Sequence, residues 1–313
     1  MQTVVTGGAG FIGSHLVDRL VADGHQVRVV DSLTTGVAAQ VHPDAELVVT
    51  DICNSAELTG VFRGAEVVFH QAARGSVLAS VQDPLATDQA NVHGTLTVLA
   101  AARDAGVRRV VAASSSSVYG GADVVPTPES QPLRPRSPYA VTKLAGEHYC
   151  RVYAELYGLE TVALRYFNVF GPRQRADSAY AAVIPLFIDA FMQDRRPEVH
   201  GDGLQSRDFT FVDDTVSANL LAATAPADAC SGQVYNVAGG RTLSLLALLD
   251  HLGDLFGTRP DPVFRDPRPG DIRCSQADIT SAGKDLSFRP AVGVGDGLSR
   301  TVAWALNGRP PRW

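Results

Sequence analysis

Three regularly spaced glycines near the start of the chain place the strongest constraint on its fold. The β-rich run Gln2–Thr6 leads directly into Gly7-Gly8-Ala9-Gly10-Phe11-Ile12-Gly13, and a helical pattern then continues to about Ala22. This glycine spacing lets the backbone turn tightly, approach a pyrophosphate and pack helix against strand, with the phosphates at the helix N-terminus. Glycines in turns are often only structural, but this motif lies between a strand and a helix, as the binding mode requires. The sequence therefore predicts a dinucleotide-binding strand–turn–helix.

The residue after the second predicted strand indicates which dinucleotide binds. Gln26–Val30 reads as a strand, and Asp31 follows it, eighteen residues after Gly13. A carboxylate at this place accepts hydrogen bonds from an adenosine ribose and repels a 2′-phosphate, which favours NAD over NADP. The alternative is that Asp31 only caps a helix.

Strands and helices alternate along the first half of the chain. Further strands are predicted at Glu46–Thr50, Glu66–His70, Val107–Ala113 and Glu160–Arg165, with an amphipathic helix at Asp88–Ala105. This alternation is typical of an α/β fold with a Rossmann-type, doubly wound parallel sheet.

The strand–helix rhythm breaks after the sixth strand, where a second lobe is expected to begin. We predict a dinucleotide-binding domain over residues 1–167, with a return segment at 208–238, and a smaller C-terminal α/β substrate lobe over 168–313. Within that lobe, Leu243–Phe256 is predicted to be helical.

A tyrosine and a lysine four residues apart form the strongest candidate catalytic pair. In a helix, Tyr139 and Lys143 lie on one face, about one turn apart. A neighbouring ammonium favours the phenolate and lowers the tyrosine pKa from about 10, which makes a proton acceptor. The alternative is a chance pair on a solvated face, but only Lys143 and Lys284 among the 27 basic residues are lysines. The pair is therefore unlike a random surface spacing.

Composition favours an ordinary globular protein with small-molecule ligands. The net charge of −6 gives no indication of a nucleic-acid or anionic-membrane partner. The cysteines are scattered and form no Cys-x-x-Cys, so neither a metal site nor a disulfide framework is expected. No apolar run approaches the roughly 20 residues of a membrane span, and no signal-peptide pattern opens the sequence. We therefore expect a cytoplasmic protein.

Several motifs together resemble the extended short-chain dehydrogenase/reductase superfamily and, within it, the UDP-sugar 4-epimerases. They are the glycine motif, Asp51-Ile52, the serine-rich run before Val118-Tyr119-Gly120, Tyr-x-x-x-Lys, and Arg165-Tyr166-Phe167-Asn168. The resemblance extends over nearly the whole chain. It implies an enzyme that binds NAD and a UDP-sugar. It also implies a homodimer that pairs the helix carrying Tyr139 with the helix at Asp88–Ala105.

The resemblance implies three catalytic residues. Tyr139 would take the proton of the sugar 4-hydroxyl, Lys143 would hold the nicotinamide ribose and depress the tyrosine pKa, and Ser115 would hydrogen-bond the same hydroxyl. A shift by one residue within the serine run stays open, and a serine at a strand end can also serve only the backbone. The implied NAD-contacting residues are Gly7, Gly10, Phe11, Ile12, Gly13, Asp31, Ser32, Asp51, Ile52, Gln71, Ala72, Ala73, Asn91, Tyr139, Lys143 and Tyr166.

The implied substrate contacts lie mainly in the second lobe. Arg207 and Arg268 suit a diphosphate as forked, charge-assisted donors, and Asp271 suits a ribose hydroxyl. Each residue alone is also consistent with a surface ion pair or with the core. The implied set is Ser76, Ser115, Ser116, Ser117, Asn168, Arg175, Ala182, Val183, Val199, His200, Arg207, Arg268, Asp271 and Ser275.

The two positions after Ser115 separate reaction classes in the superfamily. Members that eliminate water carry Asp-Glu there, and UDP-glucuronate decarboxylases carry Glu at the second position, whereas this chain has Ser116 and Ser117. The resemblance therefore implies 4-epimerisation through a transient 4-keto sugar. A nucleotide-sugar dehydratase or decarboxylase, and a non-catalytic NAD-binding regulator, are the alternatives.

Two further positions bear on the sugar. Ser275 is four residues after Asp271, where a tyrosine restricts family members to glucose and galactose and a small residue admits N-acetyl groups. Arg175 matches a position that is often arginine in UDP-glucuronate 4-epimerases, where it could pair with the uronate carboxylate, although a solvated loop residue is equally consistent. Asn168 is closer to the neutral and N-acetyl enzymes. We predict conversion of UDP-glucuronate to UDP-galacturonate, with UDP-glucose or UDP-N-acetylglucosamine as the alternative substrate.

Overall fold

The structure is a computed structural model that describes residues 1–121, 123–176, 181–267 and 272–308. Two of the predicted UDP contacts, Arg268 and Asp271, lie outside the described residues. The strands are β1 (Gln2–Thr6), β2 (Gln26–Asp31), β3 (Glu46–Val49), β4 (Val67–His70), β5 (Arg109–Ser115), β6 (Glu160–Tyr166), β7 (Val169–Phe170), β8 (Glu198–His200), β9 (Ser206–Asp208), β10 (Thr210–Phe211), β11 (Gln233–Val237), β12 (Thr242–Ser244), β13 (Val263–Arg265) and β14 (Cys274–Ser275). The helices are α1 (Phe11–Ala22), α2 (Ser55–Phe62), α3 (Val77–Gln82), α4 (Pro84–Asp88), α5 (Gly94–Asp104), α6 (Pro138–Tyr157), α7 (Val183–Met192), α8 (Val212–Thr224), α9 (Ala227–Cys230), α10 (Leu245–Phe256), α11 (Thr280–Asp285) and α12 (Val294–Gly308).

Seven strands of the described chain form one sheet, in the order β11-β6-β5-β4-β1-β2-β3. Every pairing within it is parallel. The chain winds from β1 towards β3 on one side and from β4 towards β6 on the other, so its direction reverses between β1 and β4. Ligands of such sheets bind at the carboxyl ends of the strands beside that reversal. The predicted Rossmann-type, doubly wound α/β fold is confirmed.

The sheet is parallel because apolar cores cover both of its faces. On one face the core includes residues of α1 and α8, such as Leu16, Leu20 and Val216. On the other face it includes residues of α2, α5 and α6, such as Phe62, Leu99 and Tyr153. The catalytic candidates on α6 therefore belong to a helix fixed against the sheet.

A third core forms beyond the sheet, from α7, α10 and α12 with β7 and β10. Three small sheets of the described residues lie in this part of the chain, β10-β7, β12-β9-β14 and β13-β8. The predicted return segment, 208–238, supplies α8, which packs on α1, and β11, which pairs with β6. Where one domain ends and the other begins stays a prediction.

Two predicted element boundaries are wrong. Leu243 is not helical, since it lies in β12 opposite Arg207, and α10 begins two residues later at Leu245. The predicted strand Val107–Ala113 is displaced, because the Val107 amide donates to the Ala102 carbonyl and completes the end of α5. The strand β5 extends to Ser115 and carries part of the serine run.

The predicted helix Asp88–Ala105 is also more complex than its pattern. It is preceded by α4 and interrupted by a π-helical turn at Gln89–His93 before α5 continues. Such turns are frequent at functional sites. Here the turn contains Asn91, one of the predicted cofactor contacts.

None of the helices in the described ranges is long and apolar enough to cross a membrane. Within the same ranges, no group of three or more His, Cys, Asp or Glu side chains is placed to hold a metal ion. The four cysteines are free thiols, and two of them, Cys150 and Cys230, are buried.

Candidate active site

The start of α6 places Tyr139 at the carboxyl edge of the sheet. The Ser137 hydroxyl accepts a hydrogen bond from the Ala140 amide at 3.1 Å, and Pro138 occupies the first helical position. Both features are typical of helix starts. The Tyr139 amide, which has no partner within the helix at this position, donates to the Ser80 hydroxyl at 3.1 Å. Lys143 follows one turn later on the same face.

Ser115 lies at the end of β5, directly against Tyr139. Its side chain interacts with the Tyr139 phenol, whose pKa it lowers, and its hydroxyl accepts from the Ser117 amide at 3.2 Å. The second contact caps the short 3₁₀ turn Ser116–Tyr119. The Ser117 hydroxyl is buried and has no hydrogen-bond partner among the described residues. The structure therefore brings Ser115, Tyr139 and Lys143 together, as the sequence analysis predicts.

Lys143 is held by a backbone carbonyl. Its Nζ donates to the Ala113 oxygen at 2.8 Å and lies 5.9 Å from the centroid of the Tyr139 ring. Burial lowers the pKa of Lys143 to about 8, and the Glu147 carboxylate opposes that shift. The lysine is thus fixed beside the tyrosine but is a weaker base than in water.

The predicted direction of the Tyr139 pKa is wrong for the protein described here. Burial raises the pKa of the phenol above its ordinary value, and the Ser115 hydrogen bond offsets only part of that rise. The physical reason is that removing the phenolate from water disfavours it more than the hydrogen bond favours it. The spacing of Tyr139 and Lys143 gave no measure of this burial.

The glycine motif forms a turn that leaves no room for side chains. Gly7 has φ +71°, and a Cβ on it would lie 2.6 Å from the Ala72 amide nitrogen. A Cβ on Gly13 would lie 2.1 Å from the Gly7 oxygen. Gly10, the residue before α1, offers no side-chain cap, and the first helical turn contains no acidic residue. The amides of that turn therefore suit the pyrophosphate of a dinucleotide.

Asp31 lies at the end of β2 beside this turn. Its Oδ2 accepts from the Ala9 amide at 3.0 Å and its Oδ1 accepts from the Leu33 amide at 2.8 Å. A carboxylate oxygen has a second lone pair, so Asp31 can hold the loop and still accept from a ribose hydroxyl. The neighbouring Ser32 hydroxyl pairs with the Thr34 hydroxyl at 2.9 Å. These contacts fit NAD.

Several other predicted cofactor residues already serve the protein framework. Gln71 donates to the Tyr166 hydroxyl and to Asn219, each at 3.0 Å, and burial raises the pKa of Tyr166 to about 12. Asn91 donates to the Thr142 hydroxyl at 3.0 Å and accepts from the Arg74 amide at 2.8 Å. Asn91 thus ties the loop after β4 to α6. Direct contact of these residues with NAD stays a prediction.

The remaining predicted cofactor residues differ in exposure. Asp51 is exposed and accepts from the Cys53 amide at 2.8 Å, whereas Ile52 is buried against Gly94. Ala72 lies against Gly7, and Ala73 is half-buried beside it. The loop after β4 therefore approaches the glycine turn closely.

A cavity of about 420 Å³ opens in the second lobe. Its volume lies within the range of roughly 300–1,000 Å³ that is typical of small-molecule sites. The predicted substrate residues in its lining are Asn168, Ala182, Val183, His200 and Arg207. Polar lining residues that the sequence analysis missed are Gln174, Arg195, Arg196, Glu198 and Gln205.

The other predicted substrate residues surround this cavity or lie outside it. Val199 is fully buried in the third core. Ser275 lies in β14 opposite Arg207, whose guanidinium donates to the Ile272 carbonyl at 2.6 Å. Ser76 caps α3 by accepting from the Ala79 amide. Contact with substrate stays a prediction for each of them.

Arg175 lies on the cofactor side of the molecule. Its Nη1 donates to the Thr35 carbonyl, just after β2, at 3.3 Å. In the sheet, β2 is separated from β5 by β1 and β4. With about 4.8 Å between neighbouring strands, β2 and β5 are on the order of 14 Å apart. The contact of Arg175 with Thr35 therefore lies on the β2 side of the sheet.

The segment around Arg175 is attached to α1. The His15 ring donates through Nε2 to the Pro172 carbonyl at 2.9 Å, and Arg173 forms an ion pair with Asp18 at 2.5 Å. The residues of α1 in these contacts, His15 and Asp18, were not predicted as functional. The chain after β7 is thereby held across the helix that begins with the glycine motif.

A buried acidic residue next to the catalytic pair was also missed. Glu147 follows Lys143 by four residues, on the same face of α6, and forms an ion pair with Arg165 at 2.7 Å. The spacing Tyr139, Lys143, Glu147 in a helix is a signal that could have identified it.

Comparison with known proteins gives a consistent picture. The family model described as "NAD dependent epimerase/dehydratase family" matches residues 3–238. A UDP-glucose 4-epimerase from Mycolicibacterium smegmatis is 42% identical to this chain, over 98% of this chain and 99% of its own length. The relatives also include a dTDP-glucose 4,6-dehydratase from Streptomyces griseus, which is 36% identical over 96% of this chain and 93% of its own length.

Solved structures with similar folds contain the expected ligands. The UDP-glucose 4-epimerase from Thermotoga maritima, solved with UDP-glucose, has a TM-score of 0.93 and 36% identity, covering 98% of this chain and 99% of its own. The UDP-glucuronic acid 4-epimerase from Bacillus cereus, solved with UDP-glucuronic acid and NAD, has a TM-score of 0.90 and 31% identity, covering 98% of this chain and 99% of its own.

Proposed function

Since this chain belongs to the NAD-dependent epimerase/dehydratase family and is an NAD-dependent enzyme of the UDP-sugar 4-epimerase kind, we propose that it interconverts UDP-glucose and UDP-galactose. The observation that carries the reaction type is that Ser115 and Lys143 both lie beside the Tyr139 phenol. Ser116 and Ser117 follow where eliminating members of the superfamily have carboxylates.

The cofactor site follows from the glycine turn. The first-turn amides of α1 would hold the pyrophosphate, and Asp31 would accept from the adenosine ribose. When bound there, NAD would supply the acceptor for the hydride of the sugar C4 and the donor for its return. Lys143 would donate to the nicotinamide ribose, for which its ammonium must stay protonated.

The proton of the 4-hydroxyl is handled by Tyr139 and Ser115. The Tyr139 oxygen would take the proton and later give it back, while Ser115 would hold the same hydroxyl in position. Because burial raises the Tyr139 pKa, the resting phenol is protonated. The phenolate then depends on the Lys143 ammonium and on the Ser115 hydrogen bond.

Dehydration and decarboxylation are the less favoured reactions. Loss of water from a 4-keto sugar needs an acid and a base beside the departing group. Ser116 is half-buried and Ser117 contributes only a hydroxyl. Neither supplies a carboxylate, so the 4-keto intermediate would receive its hydride back.

The contact of Arg175 bears on the choice between a neutral sugar and a uronate. Its guanidinium donates to Thr35, about three strands from Ser115. This placement favours a sugar without a carboxylate, in agreement with Asn168 and with the M. smegmatis relative. UDP-glucuronate is the second candidate, because an arginine at this place is frequent in UDP-glucuronate 4-epimerases. A UDP-glucuronate 4-epimerase from Thermodesulfobacterium geofontis is 32% identical to this chain. UDP-N-acetylglucosamine is a further candidate substrate, because a small residue at the position of Ser275 admits N-acetyl groups in the family.

A homodimer is part of the proposal. Val141, Val152 and Leu156 share one face of α6 and are 53%, 39% and 70% exposed. Apolar side chains on one helix face are usually covered by a partner. The family resemblance implies that this partner is a second copy of the chain.

The test is a comparison of UDP-glucose, UDP-glucuronate and UDP-N-acetylglucosamine with purified protein, without added reductant, and with products identified by NMR. We expect the 4-epimer of UDP-glucose to form fastest and Tyr139→Phe to lose activity at least a hundredfold. Water loss, CO₂ release or net NADH accumulation would contradict epimerisation. Turnover of none of the three would support a non-catalytic regulator.

Arg175→Ala tests the sugar assignment, with the exposed Arg63→Ala as its control. We expect Arg175→Ala to affect the three substrates equally. Selective loss of UDP-glucuronate turnover would overturn the neutral-sugar proposal and make Arg175 the carboxylate partner.

A further inference from the structure

A buried charge cluster lies directly behind the Tyr139–Lys143 pair. The side chains of Glu147 and Arg165 are each 4% exposed. Arg165 donates through Nε to Glu147 Oε1 at 2.9 Å and through Nη2 to Oε2 at 2.7 Å. This forked geometry is the strongest form of an arginine–carboxylate pair.

The cluster holds both ends of the serine segment that contains Ser115. The Ser114 hydroxyl donates to Glu147 Oε1 at 2.5 Å, which fixes the residue just before Ser115. Arg165 Nη1 donates to the Tyr119 hydroxyl at 2.8 Å, which fixes the end of the turn after Ser115. Since Glu147 itself belongs to α6, it links the serine segment to the helix that carries Tyr139.

The cluster continues beyond the catalytic pair. The Tyr119 hydroxyl donates to Asn236 in β11 at 2.7 Å, so the returning strand is included. Removal of one partner from such a buried network leaves the others unsatisfied. The network therefore specifies one arrangement of β5, β6, β11 and α6.

Glu147 also acts on Lys143 through its charge. Burial of the ammonium lowers its pKa to about 8, and the Glu147 carboxylate is the main charge that opposes this shift. The other titratable or charged groups around the lysine are Tyr139, His70, Cys150 and Arg165. Burial lowers the pKa of His70 to about 3 and raises that of Cys150 to about 12, so both are neutral near pH 7.

A small cavity is lined by both charged groups, Lys143 and Glu147, together with His70 and Thr142. Its volume of about 10 Å³ is close to the lower limit for one water molecule. The lysine and the carboxylate thus line one common space.

We propose that Glu147 is a positioning residue for the epimerisation: it keeps Lys143 protonated inside the protein and sets the place of Ser115 relative to Tyr139. This inference rests on the proposed function, in which Lys143 must carry its proton to hold the cofactor ribose. Arg165 completes the device by neutralising Glu147, so that the carboxylate does not disfavour the phenolate of Tyr139.

The test measures NAD affinity and kcat between pH 6 and 10 for Glu147→Gln. In the wild type, the ammonium is lost as the pH rises through the Lys143 pKa, so both quantities fall on the alkaline side. Without the carboxylate this limb should move to lower pH by about one unit, with kcat at pH 8.5 reduced about tenfold and KM changed less than threefold. At pH 6.5, where the lysine is charged in both proteins, the loss should be smaller.

Two variants separate charge from packing. Ser114→Ala removes one hydrogen bond but keeps the carboxylate, so it should lower kcat a few-fold without moving the alkaline limb. Glu155→Gln, an exposed glutamate on the same helix, should match the wild type. If Glu147→Gln does not fold, the double variant Glu147→Gln/Arg165→Met removes both charges and should show the same displaced limb, because paired buried charges tolerate joint replacement.

An unchanged alkaline limb in a folded Glu147 variant would overturn the inference, as would an equal loss of kcat at every pH. Failure of the proposed function has a different signature. In that case the wild type turns over no UDP-sugar and still binds NAD with an affinity that falls at alkaline pH. If Glu147→Gln moves that fall to lower pH, the epimerase assignment is refuted, whereas the effect of Glu147 on Lys143 is retained.

Discussion

Replacement of Gly13 by alanine should open the glycine turn and disable the cofactor site. A Cβ at this position would lie 2.1 Å from the Gly7 oxygen and 2.8 Å from its carbonyl carbon, where ordinary contact begins at 3.4 Å. The backbone must therefore move by roughly 1 Å, because a carbonyl group cannot turn away as a side chain can. The amides that would hold the pyrophosphate are part of the same turn.

Two opposing energies set the size of the effect. Alanine is favoured over glycine within a helix by about 1 kcal/mol. Forcing an additional methyl group into packed structure costs about 1–3 kcal/mol, and more where only backbone can yield. We expect a net loss near 2 kcal/mol, which lowers the melting temperature by about 4–8 °C at roughly 2–4 °C per kcal/mol. NAD affinity should fall at least tenfold.

Two glycines provide matched controls, with melting followed by circular dichroism and NAD binding by fluorescence quenching. Gly60 lies in α2 with nothing within 4 Å of its Cβ position, so Gly60→Ala should stabilise the protein by up to about 1 kcal/mol. Gly24 has φ +81° and the same free space, so Gly24→Ala should cost about 1 kcal/mol in backbone strain and leave NAD binding unchanged. The reasoning is refuted if Gly13→Ala binds NAD like the wild type, or if Gly24→Ala weakens NAD binding equally.

Three further predictions concern association, the core and pH. Leu156→Asp should convert a dimer to monomers in light scattering, whereas Glu155→Gln should not; a dimer that survives Leu156→Asp places the interface elsewhere. Arg109 is 1% exposed and donates to Glu160 and to the Ala222 and Ala225 carbonyls at 2.7 Å. Arg109→Met should therefore lower the free energy of unfolding in urea by about 3–5 kcal/mol, and a loss below about 1 kcal/mol would contradict a stabilising role of these contacts. Lys143→Arg should abolish the fall of NAD affinity above about pH 8, since arginine keeps its charge. If the fall persists in this variant, another group is responsible for it.

The central sheet could be predicted because its signals are local. The glycine motif follows from adjacent residues, and the fully buried strand β4 reads as an apolar run in the sequence. Errors arose where a distant partner decides the backbone state. Leu243 has a helical pattern but pairs with Arg207 in β9. The periodicity of residues 243–256 gives no information on this distant strand.

The candidate site divides in the same way. Ser115, Tyr139 and Lys143 could be identified because their spacing is a property of one strand end and one helix. The exposure of a phenol, by contrast, depends on every element packed around it. The spacing of Tyr139 and Lys143 therefore predicts the wrong direction for the Tyr139 pKa. Arg175 illustrates the third case, since its motif position is clear while its contact, Thr35, lies 140 residues away in the chain.

The opposite demands on Tyr139 and Lys143 explain why two more charges lie behind them. Burial disfavours both the phenolate and the ammonium, so the reactive ionic pair is costly unless it is stabilised from outside. A carboxylate alone would favour the ammonium but repel the phenolate. Glu147 paired with Arg165 avoids this conflict. Glu147 lies one helical turn from Lys143, and its negative charge is neutralised by the ion pair with Arg165 of β6. A catalytic tyrosine–lysine pair in a buried site therefore needs a balanced second ion pair rather than a single counter-charge.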